Sequence, residues 1–564
     1  MTSDVPVFDR ALHAAQAKLS GGLSPAALGL AYLDWAVHLA NQPGRRAALL
    51  STAVQDSFAL WRQALGQSVE PVTPPPGDHR FAHPGWQEPK FFLAEQAFLR
   101  AERWWRDATT GIPGVAASHE RMVAFMARQV VDMASPSNMP ALNPEVVEAT
   151  KARHGENLEL GAKHFFEDLN RTNGPVPLPL LPGKDVAITP GRVVFRNKLI
   201  ELIQYAPATE TVRPEPILII PAWIMKYYIL DLSPANSMIK FLVDQGFTVF
   251  CISWINPDAE LRDVGLDDYR RLGVMAAIDA VSAIGGSQKI HAVGYCLGGT
   301  LLSMTAAAMA RDHDERLKSL TMLAAQTDFS EAGELQLFIS EAQLAFLDDV
   351  MWSKGYLDSS QMAGAFEMLR SNDLIWSRLV RRYFLGEDDH PNDMMSWDMD
   401  ATRMPFKMHS EYLHQLFLEN DLAEGRLLAG GRKISLADIH APVFLIGTET
   451  DHIAPWHSVY KFLLLNAAPL TFVLTSGGHN AGVVSEPGHK HRHFRMLVRP
   501  EEGFYTAPED FLEQSPAQEG SWWLAWAAWL EQESGAPVAP PEMGHAESGY
   551  PALEAAPGHY VLKR

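Results

Sequence analysis

The sequence predicts an α/β fold, a mainly parallel sheet with helices on both faces, and three observations predict it. From Val186 onward short apolar runs alternate with helical patterns, the texture of strands joined by crossover helices. Residues 289–311 pass from strand to helix through one glycine-framed turn. A helical insertion then breaks the alternation after the next strand, where open α/β sheets place their ligands. At 564 residues, 47% hydrophobic and 20% charged, the chain has ample core and is too long for one compact domain.

In chain order, residues 1–181 read as a mostly helical N-terminal domain, interrupted by the Pro/Gly-rich stretch 70–85 and the turn-rich Ser135-Pro136-Ser137-Asn138-Met139-Pro140. Residues 175–184 (PVPLPLLPGK) read as an extended linker, because proline fixes φ and removes donors. A second domain, 182–535, follows. Its strands are expected at 199–205, 216–220, 247–254, 289–293, 319–325, 442–447 and 470–475. Cys251, inside the third of these, is most simply a core residue. The insertion, about 328–436, is rich in Met and Trp and is expected to form a cap or lid. Residues 521–530 (SWWLAWAAWL) read as a terminal helix packing an aromatic stripe on the sheet, in preference to a membrane or polymer-surface anchor. The Pro/Gly-rich tail 536–564 is expected to begin as a linker.

Within this frame Gly294-Tyr295-Cys296-Leu297-Gly298-Gly299-Thr300 has the form of a nucleophile elbow. A strand stops, a reactive residue sits on a strained turn, and a helix starts at once; the glycines supply room where a Cβ would clash. Cys296 then lies at a helix N-terminus, where unpaired N–H groups favour a thiolate. A buried structural cysteine is the bland alternative, and downstream partners decide against it. Gly447-Thr448-Glu449-Thr450-Asp451 follows one apolar run and supplies an acid; Ser476-Gly477-Gly478-His479 follows the last and supplies a base. Nucleophile, acid, histidine is the order of an α/β-hydrolase-like domain. An imidazole whose tautomer is set by a carboxylate is suited to take a thiol proton. His452 reads as structural, and Asp328 and Asp400 follow no clear strand into a turn. The alternating His489, His491 and His493 read as a solvated loop, not a metal site, and neither metal nor cofactor is expected.

Composition narrows the partners. A formal charge of −20 repels polyanions, so no nucleic acid is expected. Two cysteines in so long a chain exclude a disulfide framework and point to a reducing, cytoplasmic setting. The opening residues lack the apolar core of a secretory signal. The uncharged stretch 292–310 approaches bilayer-spanning length but holds glycines, serine and threonines, and is read as elbow and buried helix, so no transmembrane segment is expected.

The chain resembles the polyhydroxyalkanoate synthases, bacterial enzymes that polymerise hydroxyacyl-CoA thioesters. Besides the elbow, the segments that carry the resemblance are Lys226-Tyr227-Tyr228-Ile229-Leu230-Asp231-Leu232, Ser253-Trp254-Ile255-Asn256-Pro257-Asp258, Trp397-Asp398-Met399-Asp400-Ala401-Thr402-Arg403-Met404-Pro405 and Asp451-His452-Ile453-Ala454-Pro455-Trp456. In the N-terminal region Asp78-His79-Arg80-Phe81 with Trp86, Ser135-Pro136-Ser137-Asn138 and Asn143-Pro144-Glu145 join them. The resemblance implies that Cys296 carries the growing acyl chain as a thioester and that Asp451 and His479 complete the set, Asp451 either orienting His479 or helping to deprotonate the incoming 3-hydroxyl. The backbone N–H of Leu297, with that of Ile224, is expected to form an oxyanion hole. Two departures stand out: Met225 replaces an amide residue, and Asn480 follows the histidine where an aliphatic residue is common. Length and elbow resemble the single-subunit, short-chain type, which implies (R)-3-hydroxybutyryl-CoA as substrate. The resemblance also implies a homodimer at the surface of polyester granules, with granule-surface proteins as further partners. Lys226, Arg403 and Lys407 are weighed as contacts for CoA phosphates against ordinary solvated charges. A cysteine-dependent thioesterase or polyester hydrolase is the alternative on the same fold, and a non-catalytic granule-binding protein the third reading.

Overall fold

A computed structural model describes residues 7–75, 77–170, 177–286, 289–359, 361, 364, 368, 371–388, 392–501 and 503–564. By contact they fall into two units. One is formed by 15–175 together with 361–390, and the other by the rest of the chain.

The first unit is helical, as its patterning demands. Helices Pro25–Ala40, Pro43–Ala64, Pro89–Thr109 and Pro144–Ala152 each place proline in the first turn, where its missing N–H costs nothing. Ser24 and Asn143 cap two of them by accepting backbone N–H groups. Phe81, Trp86, Phe91, Phe98, Leu99 and Val131 form the core. Beside it Arg80 gathers the carboxylates of Asp78, Glu102 and Asp132, each at 2.8 Å, which satisfies a guanidinium that burial alone would penalise. Residues 361–390 were expected in the cap and instead join this unit. Asn157 on helix Glu156–Leu169 donates to the Phe384 carbonyl at 2.7 Å, and Arg382 meets Asp168 at 2.8 Å.

The second unit is built on a ten-stranded sheet. Its strands are β1 Gly191–Arg196, β2 Ile200–Tyr205, β3 Ile217–Ile220, β4 Val249–Trp254, β5 Ile290–Tyr295, β6 Leu317–Leu323, β7 Val443–Thr448, β8 Leu470–Thr475, β9 His493–Arg499 and β10 Gln518–Glu519. They lie in the order β1-β2-β4-β3-β5-β6-β7-β8-β9-β10. From β4 to β8 every pair is parallel; the four outer pairings are antiparallel. All six residues of β4, β5, β7 and β8 are buried, as continuous apolar runs between two helical layers should be. Cys251 is a fully buried core residue of β4.

Two further expectations change. Residues 489–493 were read as a solvated loop, yet His493 begins β9, with its ring 3.1 Å from the Glu449 carboxylate. The tail does not begin as a free linker: Val538 and Val212 exchange two backbone hydrogen bonds of 2.8 Å. Further on, Leu553 donates to Val193, Val193 to Glu554 and Ala556 to Gly191, so the tail covers the open edge of β1. The tryptophan helix, Trp522–Gln532, does pack on the sheet. Trp522 and Trp523 donate indole N–H groups to the Gly482 and Val483 carbonyls, and Trp526 donates to Thr321 Oγ1 on β6 at 3.0 Å.

Candidate active site

Strand β5 ends at Tyr295 and helix Leu297–Arg311 begins two residues later, leaving Cys296 as the joint. Its backbone is strained, with φ 52° and ψ −124°. A non-glycine residue holds such a conformation only when its surroundings impose it. Here they do. The Cys296 N–H donates to the Leu323 carbonyl of β6 at 2.8 Å, and its own carbonyl accepts from Gly299 at 2.9 Å. A Cβ on Gly294 would lie 2.3 Å from the Gly299 Cα, and one on Gly298 would lie 2.0 Å from the Ile220 carbonyl oxygen. The two glycines thus let strand, turn and helix close up, and they bring the end of β3 against the elbow.

Asp451 and His479 arrive from the loops after β7 and β8. His479 Nδ1 lies 2.7 Å from Asp451 Oδ2. The same carboxylate oxygen accepts Thr448 Oγ1–H at 3.0 Å, while Oδ1 accepts the N–H groups of Ile453 and Ala454, each at 2.9 Å. Burial pushes the Asp451 carboxyl up, but the charge of His479, its hydrogen bond and the two backbone donors outweigh this and hold it below the usual range. For His479 burial works against the proton; Cys296 and Asp451, by charge and by hydrogen bonding, outweigh it and raise the imidazole well above its ordinary value. The structure therefore brings Cys296, His479 and Asp451 into one buried chain of contacts.

Leu297, one expected oxyanion donor, is the first residue of the elbow helix and is buried. Ile224, the other, is half-buried in the turn after β3. The neighbouring segments hold that turn. Thr402 Oγ1 donates to the Trp223 carbonyl at 3.4 Å, and the Trp397 indole donates to the Lys226 carbonyl at 2.7 Å. Lys226 is not a solvated charge and faces no open surface: it is 3% exposed, and its ammonium donates to the carbonyl of Lys563 at 2.6 Å and that of Tyr560 at 3.3 Å. Arg403 turns to Asn256 Oδ1, and Lys407 lies 3.8 Å from Glu411. Asp400 is buried under Tyr228 and Arg564, and Asp328 accepts from Ser330, so neither substitutes for Asp451.

Some neighbours escaped sequence reasoning. Tyr295 stacks on His479, with ring centroids 5.6 Å apart, and its hydroxyl donates to Asn480 Oδ1 at 2.6 Å. The departure at Asn480 thus ties the histidine loop to the elbow strand. Tyr412, from the cap helix Phe406–Tyr412, packs edge-on against Trp223 at 5.7 Å. Burial, and then the proximity of Cys296, push its hydroxyl well above the usual tyrosine range. No motif marks that tyrosine in the sequence. Among the described residues one group, Glu201, Glu554 and His559, has metal-ligand spacing, but Arg196 already pairs with both carboxylates.

Comparison with known proteins finds relatives along most of the chain. Residues 77–242 match the family model described as the N-terminus of poly-beta-hydroxybutyrate polymerase (PhaC), residues 3–45 match a second N-terminal model of that polymerase, and 215–484 match the alpha/beta hydrolase fold. The chain is 41% identical over 529 residues to the poly(3-hydroxyalkanoate) polymerase of Methylorubrum extorquens, covering 92% of this chain and 87% of that protein. It is 37% identical to the polymerase subunit PhaC of Rhizobium etli, over 93% of this chain and 84% of the relative. With that of Cupriavidus necator it shares 35% over 95% and 91%.

Proposed function

The chain belongs to the poly(3-hydroxyalkanoate) polymerase family, and from that premise we propose that it polymerises (R)-3-hydroxyacyl-CoA through a thioester on Cys296. The observation that carries the proposal is the contact chain Cys296–His479–Asp451 at the strained elbow. His479 takes the Cys296 proton; the thiolate attacks the substrate thioester carbonyl, and the CoA thiolate leaves and is protonated. Thiolate and leaving group have similar basicity, so the exchange is near balance and the acyl group stays activated. For elongation, the 3-hydroxyl of the next hydroxyacyl-CoA attacks the Cys296 thioester and gives its proton to His479. Cys296 leaves as thiolate, the lengthened chain resides on CoA, and a second transfer returns it to Cys296 with release of CoA.

Asp451 is assigned to orienting His479. Both of its oxygens are engaged within the protein, and a carboxylate held below its usual pKa is a poor base for an alcohol. The N–H groups of Leu297 and Ile224 are assigned to the oxyanion. We assign 3-hydroxybutyryl-CoA as the preferred substrate, and a homodimer at the polyester surface as the working form. Incubation of the pure protein with 3-hydroxybutyryl-CoA tests the reading. It predicts CoA release with insoluble polyester, and enzyme pelleting with that polyester. Release of free acid alone would instead assign the site to a hydrolase, and no release would leave a binding protein.

A further inference from the structure

The tail offers more than edge protection, because its last residues run into the segment that carries Ile224. Glu201, fully buried on β2, accepts the N–H groups of His559 at 3.0 Å and Tyr560 at 2.9 Å, and the Tyr560 hydroxyl donates to the Asn197 carbonyl at 2.6 Å. Val561 follows, 1% exposed. The chain then brings the Tyr560 and Lys563 carbonyls to the Lys226 ammonium. The Lys563 carbonyl also accepts from Asn256 Nδ2 at 3.3 Å, while Asn256 Oδ1 accepts the Arg403 N–H at 2.9 Å. Arg564 lies 3.5 Å from Asp400, whose other oxygen accepts the Tyr228 hydroxyl. Four separate stretches therefore meet at one buried knot: the turn after β3, the loop after β4, the cap segment 397–403 and residues 560–564.

Lys226 is the centre of that knot. Desolvation pulls its ammonium down to about 8 although Asp400 works against the shift. A charge so placed is kept only if its donors are satisfied, and two of the acceptors are tail carbonyls. Removing them would leave a buried cation that must move, and Lys226 is two residues from Ile224.

We propose that residues 560–564 are a positioning element of the reaction: they clasp Lys226 and so hold the Trp223–Lys226 turn, with its oxyanion donor, against the cap. The kinetic part of this proposal rests on the assignment of Ile224. Oxyanion contacts act in the transition state, so loosening the turn lowers kcat and leaves KM nearly unchanged. Complete loss of one such donor costs about 10²–10³ in kcat; loosening it is expected to cost about tenfold.

Two variants read the clasp. Val561→Asp expels the buried anchor while leaving the His559 and Tyr560 N–H groups for Glu201, and Lys226→Met removes the ammonium but keeps the apolar stem. Hydrogen exchange needs no turnover: Val561→Asp should lose amide protection across 223–228 and keep it in β5 and β6. In steady-state CoA release from 3-hydroxybutyryl-CoA each variant should lose about tenfold in kcat, and the double variant should fall within about twofold of the worse single, as coupled sites do. Labelling of Cys296 by iodoacetamide should keep its rate, which a collapsed fold would not. Retained protection in Val561→Asp, a wild-type kcat despite lost protection, multiplying losses in the double variant, or labelling that falls with kcat would each overturn the proposal. Wild-type protein that releases no CoA defeats the polymerase reading and leaves the exchange result to decide the clasp.

Discussion

Asp451 shows how much of the site's chemistry resides in hydrogen-bond partners. With Thr448, Ile453, Ala454 and His479 all donating to it, the carboxylate is locked and ionised, and in the proposed mechanism it fixes the histidine tautomer that receives the Cys296 proton. Asp451→Asn keeps the shape but offers Nδ1 a wrong partner. It is expected to lower kcat by about 10³–10⁴ with little change in KM; a loss under tenfold would mean that Asp451 does not orient His479. Stability carries a second signature. The Asp451 pKa is depressed in the folded protein, so its contribution is complete above the unfolded value of about 4 and is lost as pH falls through the folded value. Acid unfolding of Asp451→Asn should lack that part of the decline, and an unchanged acid limb would contradict the assignment. The convergence of Cys296, Asp451 and His479 was legible because each stands in a glycine-marked loop after an apolar run. Tyr412 was not, since its nearness to Cys296 depends on how the cap folds back. Lys226 was misread as a solvated or phosphate-facing charge because its acceptors are backbone carbonyls more than three hundred residues away.

At the scale of elements, the elbow works because β3, β5 and helix Leu297–Arg311 approach more closely than side chains allow. Gly298→Ala would put a methyl 2.0 Å from the Ile220 oxygen, forcing backbone to shift at the joint that strains Cys296. It should lower both the urea midpoint and CoA release. Gly29→Ala, inside helix Pro25–Ala40 with open space around the new methyl, should gain about 0.5–1 kcal/mol instead. Equal effects of the two variants would show that close approach is not what the elbow glycines serve. Each of the seven strands read from apolar runs is present, shifted by no more than a few residues. The outer ones, β1, β9 and β10, were not read, because β1 and β9 interleave charged or polar residues with apolar ones and β10 is two polar residues, Gln518 and Glu519. The tail was opaque for a related reason. Its proline and glycine content suggests a linker, whereas its order comes from backbone pairing with β1 that composition does not encode.

For the whole molecule, the family shares more than the elbow: similarity to the polymerase of Methylorubrum extorquens spans 92% of this chain, including the helical N-terminal unit and the cap. Sequence patterning read a helical N-terminal region and an α/β fold, and both are present, but residues 361–390, which pattern alone assigned to the cap, belong by contact with the N-terminal helices. Helix periodicity says that such a segment is amphipathic, not which surface receives it. The proposed mechanism routes every acyl transfer through one sulfur, that of Cys296, whatever the polymer's length. Mass spectrometry of the Cys296 peptide after acid quenching of a reaction with 3-hydroxybutyryl-CoA tests that claim most directly. The account predicts Cys296 carrying one or more 3-hydroxybutyryl units, removable by hydroxylamine and absent from Cys296→Ala, which should be folded but release no CoA. An unmodified Cys296 peptide during steady CoA release, or normal release by Cys296→Ala, would contradict it.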